Sequence, residues 1–245
     1  MSEALNKVVI ITGAATGIGA ATSRCLAAAG AQVMLASRRG ELISELATQI
    51  RTVGGVAEWR ATDVADRTAV QQLAAATLER FGRIDVLINN AGVMSISPLA
   101  DLQVADWDRM IDINLKGALY GMAAVLPTMQ RQKSGHIINV ASTMGHVPRG
   151  GAAVYCATKA AVLSIAEAFR QEIGPDIRST VITPGAVTSE LHAGIVDPVL
   201  RERMAAAYQG ALSAESVAEV IRYAIAQPHS VNINEIVLRP TAQPY

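Results

Sequence analysis

Charge is scarce in this chain. Only 17% of its 245 residues are charged, against roughly 25% in ordinary globular domains, and 21 basic side chains face 21 acidic ones. With a formal net charge of zero, neither nucleic acid nor an anionic membrane surface is an expected partner. Cysteine is nearly absent. Cys25 and Cys156 show no metal-ligand or redox spacing, so both read as small packing residues and no metal is expected. Long apolar runs are missing too: Val8–Ile11, after the polar stretch Met1–Lys7, is too short for a signal or a membrane span, and a cytoplasmic location is expected. No proline-, glycine- or serine-rich linker divides the chain, so residues 1–245 read as one domain. Apolar side chains, 51% of the sequence, supply a large core and leave helix surface for another subunit to cover.

Strands and helices alternate from the start. Lys7–Ile11 reads as a buried strand, and Thr12-Gly13-Ala14-Ala15-Thr16-Gly17-Ile18-Gly19 turns from it into an Ala-rich helix ending near Gly30. Such glycines let the backbone approach a diphosphate, and the unpaired N–H groups of the opening helical turn point at its charge. Gly13, Thr16, Gly17, Ile18 and Gly19 are therefore candidate cofactor contacts. Their spacing is GxxxGxG, not GxGxxG, and the absence of a GK[ST] ending excludes a P-loop. A second absence follows the next strand, Gln32–Ser37: no carboxylate stands where an NAD site would bind ribose hydroxyls. Ser37, Arg38 and Arg39 stand there, and guanidinium groups suit a 2′-phosphate, so NADP(H) is expected over NAD(H). Thr16 does not supply the second basic residue that some NADP sites carry in the glycine turn.

The third strand, Val56–Ala61, leads to Asp63-Val64, where Asp63 is a candidate acceptor for the adenine amino group or a helix cap. Asp66 is the better cap for a helix over Thr68–Phe81. The fourth strand, Ile84–Ile88, runs into Asn89-Asn90-Ala91-Gly92, whose amides and small residues would let a sugar-phosphate chain lie against the sheet. A long helix from Asp106 to Gln130 is apolar nearly all round and carries Asn114, either a core amide or a holder of buried water near Lys159.

Chemistry concentrates further on. On a helix over Ala152–Ile173, Tyr155 and Lys159 would sit one turn apart on one face, so an ammonium would draw a phenol down from its usual pKa of ~10. Such a phenol exchanges a proton with a carbonyl or alcohol oxygen. Ser142 ends the strand Ile137–Ala141, where its hydroxyl can hold that oxygen. Met94, Met144, His146 and Leu191 are candidate pocket residues; a loop histidine such as His146 is equally well a solvated one. Pro184-Gly185, at the end of a strand over Ile177–Thr183, can lie flat against a nicotinamide, with Val187 and Thr188 beside it. Residues 189–209 read as a substrate lid, Ser213 caps a last helix to Ala226, and Asn234–Leu238 closes the sheet.

Together, Thr12–Gly19, Asn89–Gly92, Asn114, Ser142, Tyr155-x-x-x-Lys159 and Pro184-Gly185 resemble the short-chain dehydrogenase/reductase family over nearly the whole chain, and Ser37-Arg38 is similar to its NADP-type members. The resemblance implies an α/β fold: one Rossmann-type, doubly wound parallel sheet of seven strands with helices on both faces. It implies a homotetramer built on the two long helices. It also implies roles: Tyr155 as acid/base, Lys159 on the nicotinamide ribose, Ser142 orienting the carbonyl, and Asn114 holding a relay water. The tail Glu235–Thr241 resembles a subgroup acting on small polar alcohols and hydroxy acids. The expected activity is reversible hydride transfer between NADP(H) and a small-molecule secondary alcohol or carbonyl. The alternative is a catalytically silent NADPH-binding regulator.

Overall fold

β1 (Val8–Thr12) is buried at every residue, as a run of apolar residues without alternation requires, since such a strand needs cover on both faces. β2 (Gln32–Ser37), β3 (Val56–Ala61), β4 (Val86–Asn89), β5 (Gly135–Val140), β6 (Ile177–Pro184) and β7 (Glu235–Leu238) join it in a seven-stranded sheet. The order is β3-β2-β1-β4-β5-β6-β7 and every neighbouring pair is parallel. This computed structural model describes residues 5–188 and 210–243. Strand order reverses between β1 and β4. The loops leaving those two strands diverge, and a crevice opens at the carboxyl edge of the sheet.

Helices cover both faces, as the doubly wound reading expects. On one side α1 (Gly17–Ala28), α2 (Gly40–Thr52) and α7 (Ala214–Ala226) bring Leu26, Ile43 and Ile221 against Val9, Ile11 and Ile138. On the other, α3 (Arg67–Phe81), α5 (Gly117–Gln132) and α6 (Ala153–Glu172) set Leu73, Met129 and Phe169 against Ile10, Leu87 and Ile137. Each fully buried aliphatic chain of this kind contributes about 1.5–3 kcal/mol. The helix ends follow from local chemistry. Asp66 accepts from the Thr68 and Ala69 amides at 2.8 and 3.3 Å and so starts α3, and Gly82 ends it in the left-handed conformation, with φ of 76°. Ser213 starts α7 by accepting from the Ser216 amide.

One expected element comes out differently. The continuous helix over Asp106–Gln130 is divided into α4 (Val104–Met110), a π-helical stretch at Ile111–Lys116, and α5. The wide turn carries Asn114, whose amide closes a two-way bond with the backbone of Val93: Oδ1 accepts from its N–H at 2.8 Å and Nδ2 donates to its carbonyl at 2.9 Å. Both groups satisfied there belong to a loop that has no strand partner.

At the opposite edge of the sheet, His136 of β5 is 2% exposed. Its Nε2 lies 2.8 Å from Thr180 Oγ1, and that hydroxyl donates to the Ile233 carbonyl, so the imidazole is the donor and is held neutral. Burial, then the nearby Arg178 and Lys7 charges, push its pKa well below 6.5. The folded state therefore resists a proton that the unfolded chain takes up below pH 6.5, and stability falls as pH falls. Between pH 7.5 and 5.5 we expect this residue to cost roughly 1 kcal/mol. Urea denaturation of wild type and His136→Gln at both values checks it: the difference between the two proteins should change by that amount, and a constant difference refutes it.

Candidate active site

The glycine turn between β1 and α1 is built for close approach. Gly13 and Gly17 have φ of 66° and 53°, in the left-handed region. A Cβ on Gly13 would lie 2.8 Å from Ala91 Cα and 2.9 Å from Asn90 Nδ2, and one on Gly19 would overlap the Gly13 carbonyl oxygen. The turn is locked to the loop after β4. Asn90 Nδ2 donates to the Thr12 and Gly13 carbonyls at 2.9 and 3.1 Å, while the Asn90 and Ala91 amides both donate to Thr12 Oγ1. Thr16, the N-cap of α1, makes no capping bond, and the first turn of that helix carries no acid. The amides opening α1 therefore remain available to an anion, with a positive helix end behind them.

Basic residues flank this turn. Arg39 Nη2 donates to Thr16 Oγ1 at 2.8 Å, so Arg39 is anchored to the glycine turn, and Ser37 Oγ accepts from the Arg39 amide at 3.2 Å. Arg38 is exposed. Asp63 Oδ1 accepts from the Ala65 amide at 3.0 Å, a turn bond that engages one of its two carboxylate oxygens. Val64 is buried and packs against Gly117, where a Cβ would come within 2.9 Å of it; only its backbone can face a cofactor.

Across the crevice, α6 carries Tyr155 and Lys159, 4% and 5% exposed, with Lys159 Nζ 5.9 Å from the centre of the Tyr155 ring. Nζ donates to the Val140 carbonyl at 2.8 Å, and burial draws the ammonium down to about 8 from 10.5. Ser142 begins a tight turn, Thr143–Gly145, that is pressed onto this helix: a Cβ on Gly145 would stand 3.0 Å from the Lys159 carbonyl carbon. Ser142 Oγ accepts from the Met144 amide at 3.2 Å, so its hydroxyl proton remains free to be donated elsewhere. Asn114 joins the same group. Its Nδ2 donates to Thr158 Oγ1 at 3.1 Å, and Thr158 donates to the Tyr155 carbonyl at 2.7 Å. Gly92 lies between Asn114 and Lys159, since a Cβ there would be 3.5 Å from both Oδ1 and Nζ. A cavity of about 10 Å³, lined by Thr12, Asn89, Asn114, Asn139 and Lys159 among others, has room for about one water beneath them.

Residues 7–199 match the family model described as short chain dehydrogenase. The chain belongs to this family. Among its relatives is an uncharacterized oxidoreductase of Staphylococcus saprophyticus, 43% identical over 99% of both chains. Among solved structures, the closed form of a serine dehydrogenase complexed with NADP+ superposes with a TM-score of 0.89 at 34% identity, covering 97% of this chain and 96% of that one. A short-chain dehydrogenase/reductase from Burkholderia phymatum in complex with NAD gives a TM-score of 0.88 at 27% identity over 97% and 90% of the two chains. The protein is thus an oxidoreductase of the short chain dehydrogenase family, and its solved neighbours hold either nicotinamide cofactor.

Other candidate residues of this family member lie as follows. Met94 forms one buried apolar cluster with Met110 and Tyr155, against which Met144, Ile96 and Trp107 pack. His146 is turned to Glu235, with Nε2 2.6 Å from Oε1. Pro184-Gly185 ends β6, with the Gly185 amide bonded to the Leu238 carbonyl. Val187 buries its side chain in the core, while Thr188 is exposed and its amide donates to the Leu212 carbonyl. Leu191 and the expected lid at 189–209 lie outside the described residues. Three positions escaped the sequence reading. Thr158 is one; Gln243, whose Oε1 accepts from the Ala186 amide at 3.0 Å, and Glu235 are the others. All three act through bonds spanning dozens of residues, for which a lone sequence gives no signal.

No described helix is long and apolar enough to cross a membrane, and the described residues contain no cluster of side chains suited to a metal ion.

Proposed function

We propose that this chain reversibly oxidises a small secondary alcohol, or reduces the matching carbonyl, with NADP(H) as the preferred cofactor. The observation that carries the reading is the placement of Tyr155 and a buried Lys159 one turn apart on α6, with the Ser142 turn pressed onto the same helix across from the glycine turn. The glycine turn fits a dinucleotide: its Cβ-free positions leave backbone in contact with backbone, and the unshared amides opening α1 suit a diphosphate. Gly13, Thr16, Gly17, Ile18 and Gly19 would hold it. Asp63, Asn90, Ala91 and Gly92 would line the adenosine and ribose side, and Pro184, Gly185, Val187 and Thr188 the nicotinamide side.

When bound, the nicotinamide supplies or accepts the hydride. The protein does the rest. Ser142 donates its free hydroxyl proton to the substrate oxygen and fixes its position. Tyr155 gives that oxygen a proton in reduction and takes it back in oxidation. Lys159, held by Val140, keeps a positive charge beside the phenol, which favours the phenolate and lowers the barrier to proton exchange. Asn114 and the small cavity beside it support a water between Lys159 and the interior. Met94 and Met144 form the apolar wall of the substrate pocket, and His146, engaged by Glu235, is not needed there.

The NADP preference rests on the arginine pair and on the missing carboxylate after β2. Arg38 takes the 2′-phosphate while Arg39 spans to Thr16. Arg38→Asp should weaken NADPH binding roughly 10- to 100-fold, the worth of one charge-assisted hydrogen bond, and improve NADH. Steady-state rates with both cofactors measure this, and an unchanged preference removes Arg38 from the phosphate site. For the substrate, the likeness to serine dehydrogenases places small polar hydroxy acids in the first panel, beside ketones and diketones. NADPH consumption across that panel tests the activity itself; binding without turnover on every compound would favour the silent regulator. Assembly as a homotetramer is supported by apolar side chains exposed around α4 and α5, among them Val104, Ile111 and Leu119. Light scattering should then give about four times the 25.7 kDa of one chain.

A further inference from the structure

Ser142 sits at the start of a turn whose own bonds are all local. The Gly145 amide donates to the Ser142 carbonyl at 2.8 Å, and the His146 and Val147 amides donate to the Thr143 carbonyl at 3.1 and 3.0 Å. These bonds fix the shape of the turn but not where it rests on the sheet. Its seat on one side is the backbone of α6 under Gly145. On the other side, His146 Nε2 meets Glu235 Oε1 at 2.6 Å, and the same oxygen accepts the hydroxyl of Thr183 at 2.5 Å.

Thr183 is wholly buried in β6, immediately before Pro184-Gly185, and Glu235 opens β7, paired in register with Val181. One carboxylate oxygen therefore joins three pieces of chain that meet at the carboxyl edge of the sheet: the turn after β5, the end of β6 and the start of β7. A carboxylate suits the place because it accepts from two donors at once, and a charged acceptor shortens and strengthens both bonds.

We propose that Glu235 is a positioning residue for the reaction. Through His146 it ties the Ser142 turn to the end of β6, so that the Ser142 hydroxyl stays where a substrate oxygen needs it. The inference rests on the role given to Ser142 above. His146 acts as the strut of this brace, which accounts for a histidine in the run Met144-Gly145-His146-Val147, whose other members are apolar. Catalytic groups displaced by about an ångström can lose up to roughly a hundredfold in rate, so even partial release of the turn should be visible in kcat.

The test compares Glu235→Ala with Glu235→Gln, and His146→Ala with His146→Gln, in the full-length protein. A glutamine at 235 keeps an oxygen that accepts from both partners, and a glutamine at 146 keeps a donor. Expected is a fall in kcat of about tenfold or more in the two alanine variants, with NADPH affinity changed less than about twofold and most of the rate restored in the glutamine variants. Amide hydrogen exchange in a peptide covering 142–147 should quicken in Glu235→Ala and stay slow in Glu235→Gln. The brace is overturned if Glu235→Ala keeps the wild-type kcat, if both variants at 235 lose it equally, or if exchange does not change. Rate, NADPH affinity and melting temperature falling together would also overturn it, as the mark of general damage. If wild type turns over no compound on the panel, the oxidoreductase reading fails by itself, and the exchange comparison then decides the brace alone.

Discussion

Tyr155→Phe should lose roughly 10²- to 10⁴-fold in turnover, the range that a positioned general acid contributes, while NADPH affinity stays within about threefold of wild type. The substitution is close to isosteric. The ring of Tyr155 packs with Met94 and Met110 and is almost wholly buried, and those contacts survive removal of one oxygen. A phenylalanine there should therefore fold as the parent does, so a loss of rate reports the missing proton and not a damaged pocket. Nothing else in the cluster can replace the hydroxyl. Ser142 has the orienting role, and Lys159 Nζ is bonded to the Val140 carbonyl. A Tyr155→Phe variant turning over within tenfold of wild type would take Tyr155 out of the chemistry, and with it the reading built on α6.

How much of this was legible in the sequence differs from element to element. β2 and β3 were readable to the residue, because each is an apolar or alternating run closed by turn residues, and Asp66 was readable as a cap because its side chain needs only the next two or three amides. The pairing of Tyr155 with Lys159 needed nothing beyond helical spacing. The division of the helix around Asn114 was not readable: a stretch apolar nearly all round has the same pattern whether it turns every 3.6 residues or wider, and the Val93 backbone that Asn114 bonds lies twenty-one residues away. His146 shows the same limit. Proximity to Ser142 in sequence suggested the substrate pocket, but the side chain answers to a carboxylate eighty-nine residues on. The anchoring of Arg39 to Thr16 is a third case, since it joins two side chains twenty-three residues apart. Local chemistry was visible; which distant partner each polar group would find was not.

The buried Lys159 should make the free protein less stable, and Lys159→Met should reveal it. Burial lowers the ammonium to about 8 from 10.5, and by linkage that shift costs the folded state about 3 kcal/mol wherever the lysine is protonated in both states. The sign follows from the protons bound. Below pH 8 folded and unfolded chains both carry the charge and the cost is full and constant; between 8 and 10.5 the folded chain has released a proton that the unfolded chain keeps, so stability climbs with pH. Methionine fills the same space without charge and gives up one hydrogen bond to Val140, worth about 1 kcal/mol. Lys159→Met is thus expected to be more stable than wild type by about 2 kcal/mol at pH 7, with the gap closing by about pH 10, and to have lost turnover. Urea denaturation of both cofactor-free proteins at the two pH values measures the gap. A variant less stable than wild type at pH 7, or a gap that ignores pH, would mean that the ammonium is better solvated than its burial implies. An ammonium that burial makes this costly fits a group kept for a bound nucleotide and a neighbouring phenol, at a site where stability yields to chemistry.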